Sequence, residues 1–194
     1  MSYICSCKQI LFMLEKFRTE TASRSVRGTI RGSILRHVMR HGNFMMTEIA
    51  EATGYSLTTI AKYVAELRSD GMIAELERVN LHTKGRKAIL YGVNPDSYYF
   101  LGVDMKTFEL NIALINFIGE VVRIERHTDF RFENTHDVLD ELCNRVQRFI
   151  DTLEGIDPEK IAGANLNLSG RVDSCTGTSA SVFNFEELHD TPLA

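Results

Sequence analysis

The 194-residue sequence predicts an α/β protein in two parts, with helices first and a sheet second. Three observations carry this. Apolar residues recur at helical spacing through residues 29–41 and 46–69. From 73 to 93, and again from 98 to 127, they change to strand-like runs broken by turn residues. The charge divides as well. Residues 1–95 hold 14 Lys and Arg against 8 Asp and Glu, whereas residues 96–194 hold 8 against 18. A basic half suits a polyanion and an acidic half repels one, so the two parts are expected to meet different partners. Asn94-Pro95-Asp96 is a turn signal at the change, and the expected division is 1–27, 28–95 and 96–194.

Residues 4–17 read as a short helix with Ile4, Leu11, Leu14 and Phe17 among its apolar positions. The next stretch, RTETASRSVRG, is polar. It is either a solvated linker or an arm whose Arg18, Arg24 and Arg27 track phosphates. The N-terminus has neither the basic start nor the small-residue cleavage site of a signal peptide. No apolar run reaches membrane-spanning length, so a membrane partner is not expected. Four cysteines, Cys5, Cys7, Cys143 and Cys175, lack paired zinc spacing and read as reduced thiols of a cytoplasmic protein. No metal or cofactor is expected.

In TIRGSILRHVMRH the residues Ile30, Ile34, Leu35 and Val38 share one face, which predicts a supporting helix. Arg31, Arg36 and Arg40 lie elsewhere around it and are candidates to face phosphates. His37 and His41 are four apart but have no third ligand, so they read as surface histidines.

The stretch MTEIAEATGYSLTTIAKYVAELRSDGMI predicts a helix-turn-helix. Thr47 is the expected N-cap of a short helix with Ile49, Ala50 and Ala52 on its buried side. Gly54 supplies the turn, where a positive φ costs glycine little. Ser56 is the second N-cap, followed by a stripe of Leu57, Ile60, Val64 and Leu67. The polar positions left over, Ser56, Thr58, Thr59 and Lys62, are the expected major-groove contacts to duplex DNA. Asp70-Gly71 stops this helix. Ile73 to Val79 and Lys87 to Val93 then read as a hairpin wing. Its tip carries Lys84, Arg86 and Lys87 around Gly85, a basic cluster suited to a minor groove or to phosphates.

Supporting helix, TEIAEATGYSLTTIAKYVAELRSDGMI and a wing reading GRKAILYGVNP resemble the DNA-binding part of the ROK-family transcriptional regulators. The second part agrees with that resemblance. YYFLGVDM, then ELNIALINF and EVVRIERH turning at Phe117-Ile118-Gly119-Glu120, predict three strands. Thr135 to Leu153 predicts an amphipathic helix, capped by Thr135 and buried along Val138, Leu139, Leu142, Val146, Phe149, Ile150 and Leu153. KIAGANLNL predicts a fourth strand, central and buried because little in it is charged, and Ser169 to Asp173 a loop. Three strands, a helix and a strand are similar to the first lobe of an actin-like ATPase (ribonuclease H-like) domain in its ROK version. Gly102-Val103-Asp104 and Gly119-Glu120 sit at that family's spacing, and Asn184 falls where its sugar-proximal asparagine would be.

The resemblance implies a DNA-binding repressor of sugar-utilisation genes. It would act as a homodimer or higher homo-oligomer on an operator and answer to a sugar or sugar phosphate through Asn184. The alternative it implies is a sugar kinase with an added N-terminal DNA-binding module. The turn after Asp104 discriminates the two. A phosphate-binding turn needs glycines so that backbone N–H groups can approach the nucleotide. Here Lys106 and Thr107 replace the glycines and Phe108 the threonine. The sequence given also ends before the positions where the family carries its catalytic aspartate and zinc motif. The expectation is therefore a regulator and no enzyme.

Overall fold

The computed structural model of the protein describes residues 26–79, 88–131, 137–168, 170–173 and 178–182. They fall into two compact units, the first ending at Tyr98 and the second beginning at Tyr99. The expected helix over 4–17, the wing tip and Thr135 lie outside the described residues.

The first unit contains α1 (Val26–His41), α2 (Met46–Thr53), α3 (Leu57–Ser69), β1 (Ile73–Val79) and β2 (Ala88–Val93). Its core is the predicted apolar face of α1, Ile30, Ile34 and Val38, packed with Ile49 of α2 and with Ile60, Val64 and Leu67 of α3. Ile73 and Tyr91 bring the hairpin to the same cluster. Phe44, between α1 and α2, forms an isolated antiparallel bridge with Tyr91. Their rings stack at 5.6 Å, so the wing is pinned at its β2 strand rather than left as a free arm.

Local chemistry sets the ends of these helices. α2 begins at Met46, not after Thr47. Glu48, three residues beyond the cap position, accepts a 2.7 Å hydrogen bond from the Met45 backbone N–H. That reciprocal bond to the helix start outcompetes a threonine cap two residues later. Ala52, expected to be buried, is exposed. Gly54 terminates α2 in the left-handed region at φ 73° and donates its N–H to the Ala50 carbonyl. Gly71 takes the same conformation at φ 72° after α3. Asn94 then fastens the wing back onto the helix end. Its side chain donates to the Gly71 carbonyl at 2.9 Å and its backbone N–H to the Met72 carbonyl at 2.9 Å.

The second unit is built on β3 (Tyr99–Lys106), β4 (Glu109–Asn116), β5 (Val121–His127), α4 (Asp137–Asp151) and β6 (Ile161–Leu168), with a 3-10 turn at Pro158–Lys160. The sheet order is β5-β4-β3-β6, and β6 runs parallel to β3 while the others are antiparallel. Alternation is clean in β3 and β4. Tyr99, Leu101, Val103 and Met105 share a core with Leu110, Ile112 and Leu114. α4 covers that face with Val138, Leu142, Val146, Phe149 and Ile150. Arg145 anchors the approach to α4 by pairing with Asp129 and Glu141. The β4–β5 turn is organised by Asn116, whose side-chain oxygen accepts from the Ile118 and Glu120 N–H groups.

Three expectations are corrected here. β6 is an edge of the described sheet and more than half of its residues are only partly buried or exposed, because weak charge does not report position in a sheet. The segment read as a loop after Leu168 includes β7 (Gly170–Asp173), paired antiparallel with β8 (Thr178–Val182). Cys143 is disulfide-bonded rather than a reduced thiol. Among the described residues, no group of three potential ligands could hold a metal, and no helix is long and apolar enough to cross a membrane.

Replacing Gly54 by Val forces a β-branched residue into left-handed backbone, which costs about 1–3 kcal/mol. Urea denaturation is expected to show that loss, and Gly54→Asn a smaller one. Equal stability for Gly54→Val and wild type would show that the turn does not depend on this conformation.

Candidate nucleic-acid interface

α3 has two sides with different fates. Ile60 and Leu67 are fully buried and Val64 nearly so. At 3.6 residues per turn, positions 57, 58, 61, 62 and 65 fall within about 140° of the remaining circumference. Along this arc Leu57, Thr58, Lys62 and Ala65 are exposed and Ala61 is half-buried. The alanines keep the middle of the arc low, and Thr58 and Lys62 supply hydrogen-bonding groups.

The sequence-predicted contacts divide on this geometry. Thr58 and Lys62 stand on the exposed arc, the latter 5.4 Å over its neighbour Tyr63. Ser56 is the N-cap and accepts from the Thr59 N–H at 3.2 Å. The two hydroxyls of Ser56 and Thr59 lie 2.8 Å apart in a hydrogen bond of their own. Ser56 and Thr59 are thus brought together as a cap on the other side of the helix. Leu57, expected in the core stripe, is 50% exposed. The helical period runs one position further than the core it serves. Lys84, Arg86, Lys87 and Asn184 lie outside the described residues.

The positive charge of α1 is also partly spent inside the unit. Arg31, a candidate phosphate contact, is only 18% exposed and pairs with Asp70 and with Glu66 at 3.5 Å. Arg27, read as part of an arm, lies on α1 and pairs with Glu66 at 2.9 Å. Both arginines therefore hold α1 against α3. Arg36 and Arg40 remain exposed. At the far end of α3, Arg68 reaches the wing by pairing with Glu75 at 3.1 Å and lying over the Tyr91 ring. The rings of His37 and His41 lie 4.6 Å apart, tilted by 39°.

This arrangement has counterparts among known proteins. Residues 29–74 match the family described as winged helix-turn-helix DNA-binding. The match spans α1, the helix-turn-helix and the start of the wing. The chain is 23% identical to the xylose repressor of Caldicellulosiruptor bescii over 75% of its length and 36% of the relative's. It is 19% identical to the DNA-binding transcriptional repressor Mlc of Escherichia coli, over 87% of this chain and 41% of that one. A solved ROK family transcriptional regulator, a homologue of the E. coli MLC protein, superposes with a TM-score of 0.61 at 21% identity. That superposition covers 77% of this chain and 37% of the solved one. The shared fold is thus a winged helix-turn-helix followed by an α/β unit, as the sequence resemblance implied. The chain spans about two fifths of the length of the curated relatives it matches.

In the second unit, the turn after Asp104 is a tight hairpin, with Lys106 opposite Glu109. Thr107 and Phe108 form its tip. Phe108 is 67% exposed, and Arg131 lies 5.6 Å over its ring. Asp104 sits between Asn111 of β4 and Asn167 of β6 in register. Asn167 donates to it at 2.7 Å, and the Lys106 ammonium stands 3.3 Å from its other oxygen. Burial pushes the Asp104 carboxyl up, but the hydrogen bonds from Asn167, Lys106 and Asn111 and the lysine charge outweigh it. The net result holds its pKa below the ordinary 3.8.

A carboxyl depressed in the folded state stabilises the fold fully above its ordinary pKa and loses that contribution as pH falls through the folded value. Asp104→Asn is therefore expected to be less stable than wild type at pH 7, with the gap closing below about pH 4. Denaturation at several pH values reads this. A gap independent of pH would mean the cluster uses the side chain's shape and not its charge.

Proposed function

We propose that this protein is a DNA-binding transcriptional regulator, a cytoplasmic repressor of sugar-utilisation genes that responds to a sugar or sugar phosphate. The observation that carries the reading is the exposed arc of α3, where Thr58, Lys62 and two alanines follow Leu57 on the second helix of a winged helix-turn-helix. Such a face fits a major groove, whose floor offers hydrogen-bond patterns distinct for each base pair. The basic wing-tip sequence, with Lys84, Arg86 and Lys87, adds charge suited to phosphates. The names of the relatives support a repressor, and one of them names a sugar. A single such helix covers only a few base pairs, so the working form is a homodimer on a two-fold operator or a higher homo-oligomer. Asn184 is the proposed sugar contact.

The reading assigns Thr58 and Lys62 to bases and Ser56 and Thr59 to the cap. Against an operator selected from random duplexes, Thr58→Ala and Lys62→Ala should each cost about 1–3 kcal/mol and relax preference at particular positions. Thr59→Ala should leave the preferred sequence unchanged. Fluorescence anisotropy at fixed salt measures both. Unchanged preference in Thr58→Ala and Lys62→Ala would remove α3 as the reading element.

The same reading gives the chain no phosphoryl transfer. Support comes from the turn after Asp104, where three side chains stand in place of a bare amide cradle and Lys106 already serves Asp104 and Glu109. Equilibrium dialysis with ATP and magnesium is expected to show no saturable binding. Saturable binding with hexose-dependent turnover would replace the regulator reading by the kinase one.

A further inference from the structure

Leu57 is the feature of α3 that neither core packing nor capping explains. It is the first residue of the helix, 50% exposed, between two exposed polar residues, Ser56 and Thr58. The apolar duties of a helix start are already filled. Tyr55, before the cap, and Ile60, the fourth helical residue, both join the core cluster in the positions of a hydrophobic staple. The cap itself is made by Ser56 and Thr59. Leu57 is therefore a large apolar side chain held outside the core, at the leading end of the arc that also carries Thr58, Ala61, Lys62 and Ala65.

The major groove offers one apolar group, the thymine C5-methyl. Side chains at a recognition helix's N-terminal end are those that reach base edges. Helical side chains lean toward the N-terminus, which carries Leu57 further toward whatever the helix end faces. We infer that Leu57 is a specificity-determining residue that packs against a thymine methyl in each operator half-site, beside the hydrogen bonds made by Thr58 and Lys62. This rests on the proposal that α3 reads DNA, and it adds that part of the reading is apolar and thymine-directed.

The test uses the full chain, an operator selected from random duplexes, and copies of it in which each thymine in turn is replaced by deoxyuridine, which lacks only the methyl. Burying one methyl-sized group corresponds to roughly a fourfold change in affinity. For wild type, deoxyuridine at one position per half-site should weaken binding about fourfold. For Leu57→Ala that sensitivity should vanish at the same position, while Leu57→Met keeps most of it. Leu57 is exposed and alanine is a better helix former, so Leu57→Ala should fold, which circular dichroism checks. If wild type prefers no duplex sequence, the DNA-reading proposal fails and this inference falls with it. If wild type is selective but no thymine is methyl-sensitive, or the sensitivity persists in Leu57→Ala, the regulator reading stands and the role of Leu57 is overturned.

Discussion

The burial of Ile60, Val64 and Leu67 fixes everything else in the first unit. These residues commit one side of α3 to a core shared with Ile30, Ile34 and Val38 of α1 and with Phe44 and Tyr91 under the wing. A helix so anchored cannot rotate without exposing fully buried side chains, at about 1.5–3 kcal/mol each. Its opposite arc is thereby fixed in direction before any ligand arrives. Preorganisation of this kind lowers the ordering cost of binding. The charged contacts reinforce it from the flanks. Arg27 and Arg31 tie α1 to Glu66 of α3 and to Asp70 at its C-terminal cap, and Arg68 ties α3 to the wing through Glu75. Pairs at or near the surface contribute little each, so these set alignment while the apolar stripe supplies the stability.

The second unit follows a different plan. Strict alternation in β3 and β4 separates an apolar face, sealed by α4, from a face carrying Asp104 and Asn111. Register places Asn111, Asp104 and Asn167 side by side across three strands. Asp104 is held charged there by its amide and ammonium partners. Nearby, Lys106 turns inward to that carboxylate and to Glu109, while Phe108 points into solvent under Arg131. A turn filled by its own side chains is well suited to a structural role.

Much of this was legible because it is local and periodic. The stripes of α1, α3 and α4 and the alternation of β3 follow from side-chain period alone. Gly54 and Gly71 were readable as left-handed stops because few other residues tolerate that backbone. What was missed depends on contacts distant in sequence. Arg31 looked free because its partners, Glu66 and Asp70, lie on another helix. Leu57 fitted the stripe by period, yet it is half exposed and the buried stripe of α3 begins at Ile60. Residue type alone marked Thr59 as a polar surface position and gave no sign that its hydroxyl bonds that of Ser56. β6 looked central because its composition is weakly charged, but only pairing decides an edge.

The central claim is that the exposed arc of α3 enters a major groove. Methylation interference tests it directly, since dimethyl sulfate places a methyl on guanine N7, on the major-groove floor. The account predicts that methylated guanines in each half-site are excluded from the protein-bound fraction, and that Lys62→Ala relieves the exclusion at one of them. Full binding to operators methylated at every half-site guanine would contradict it.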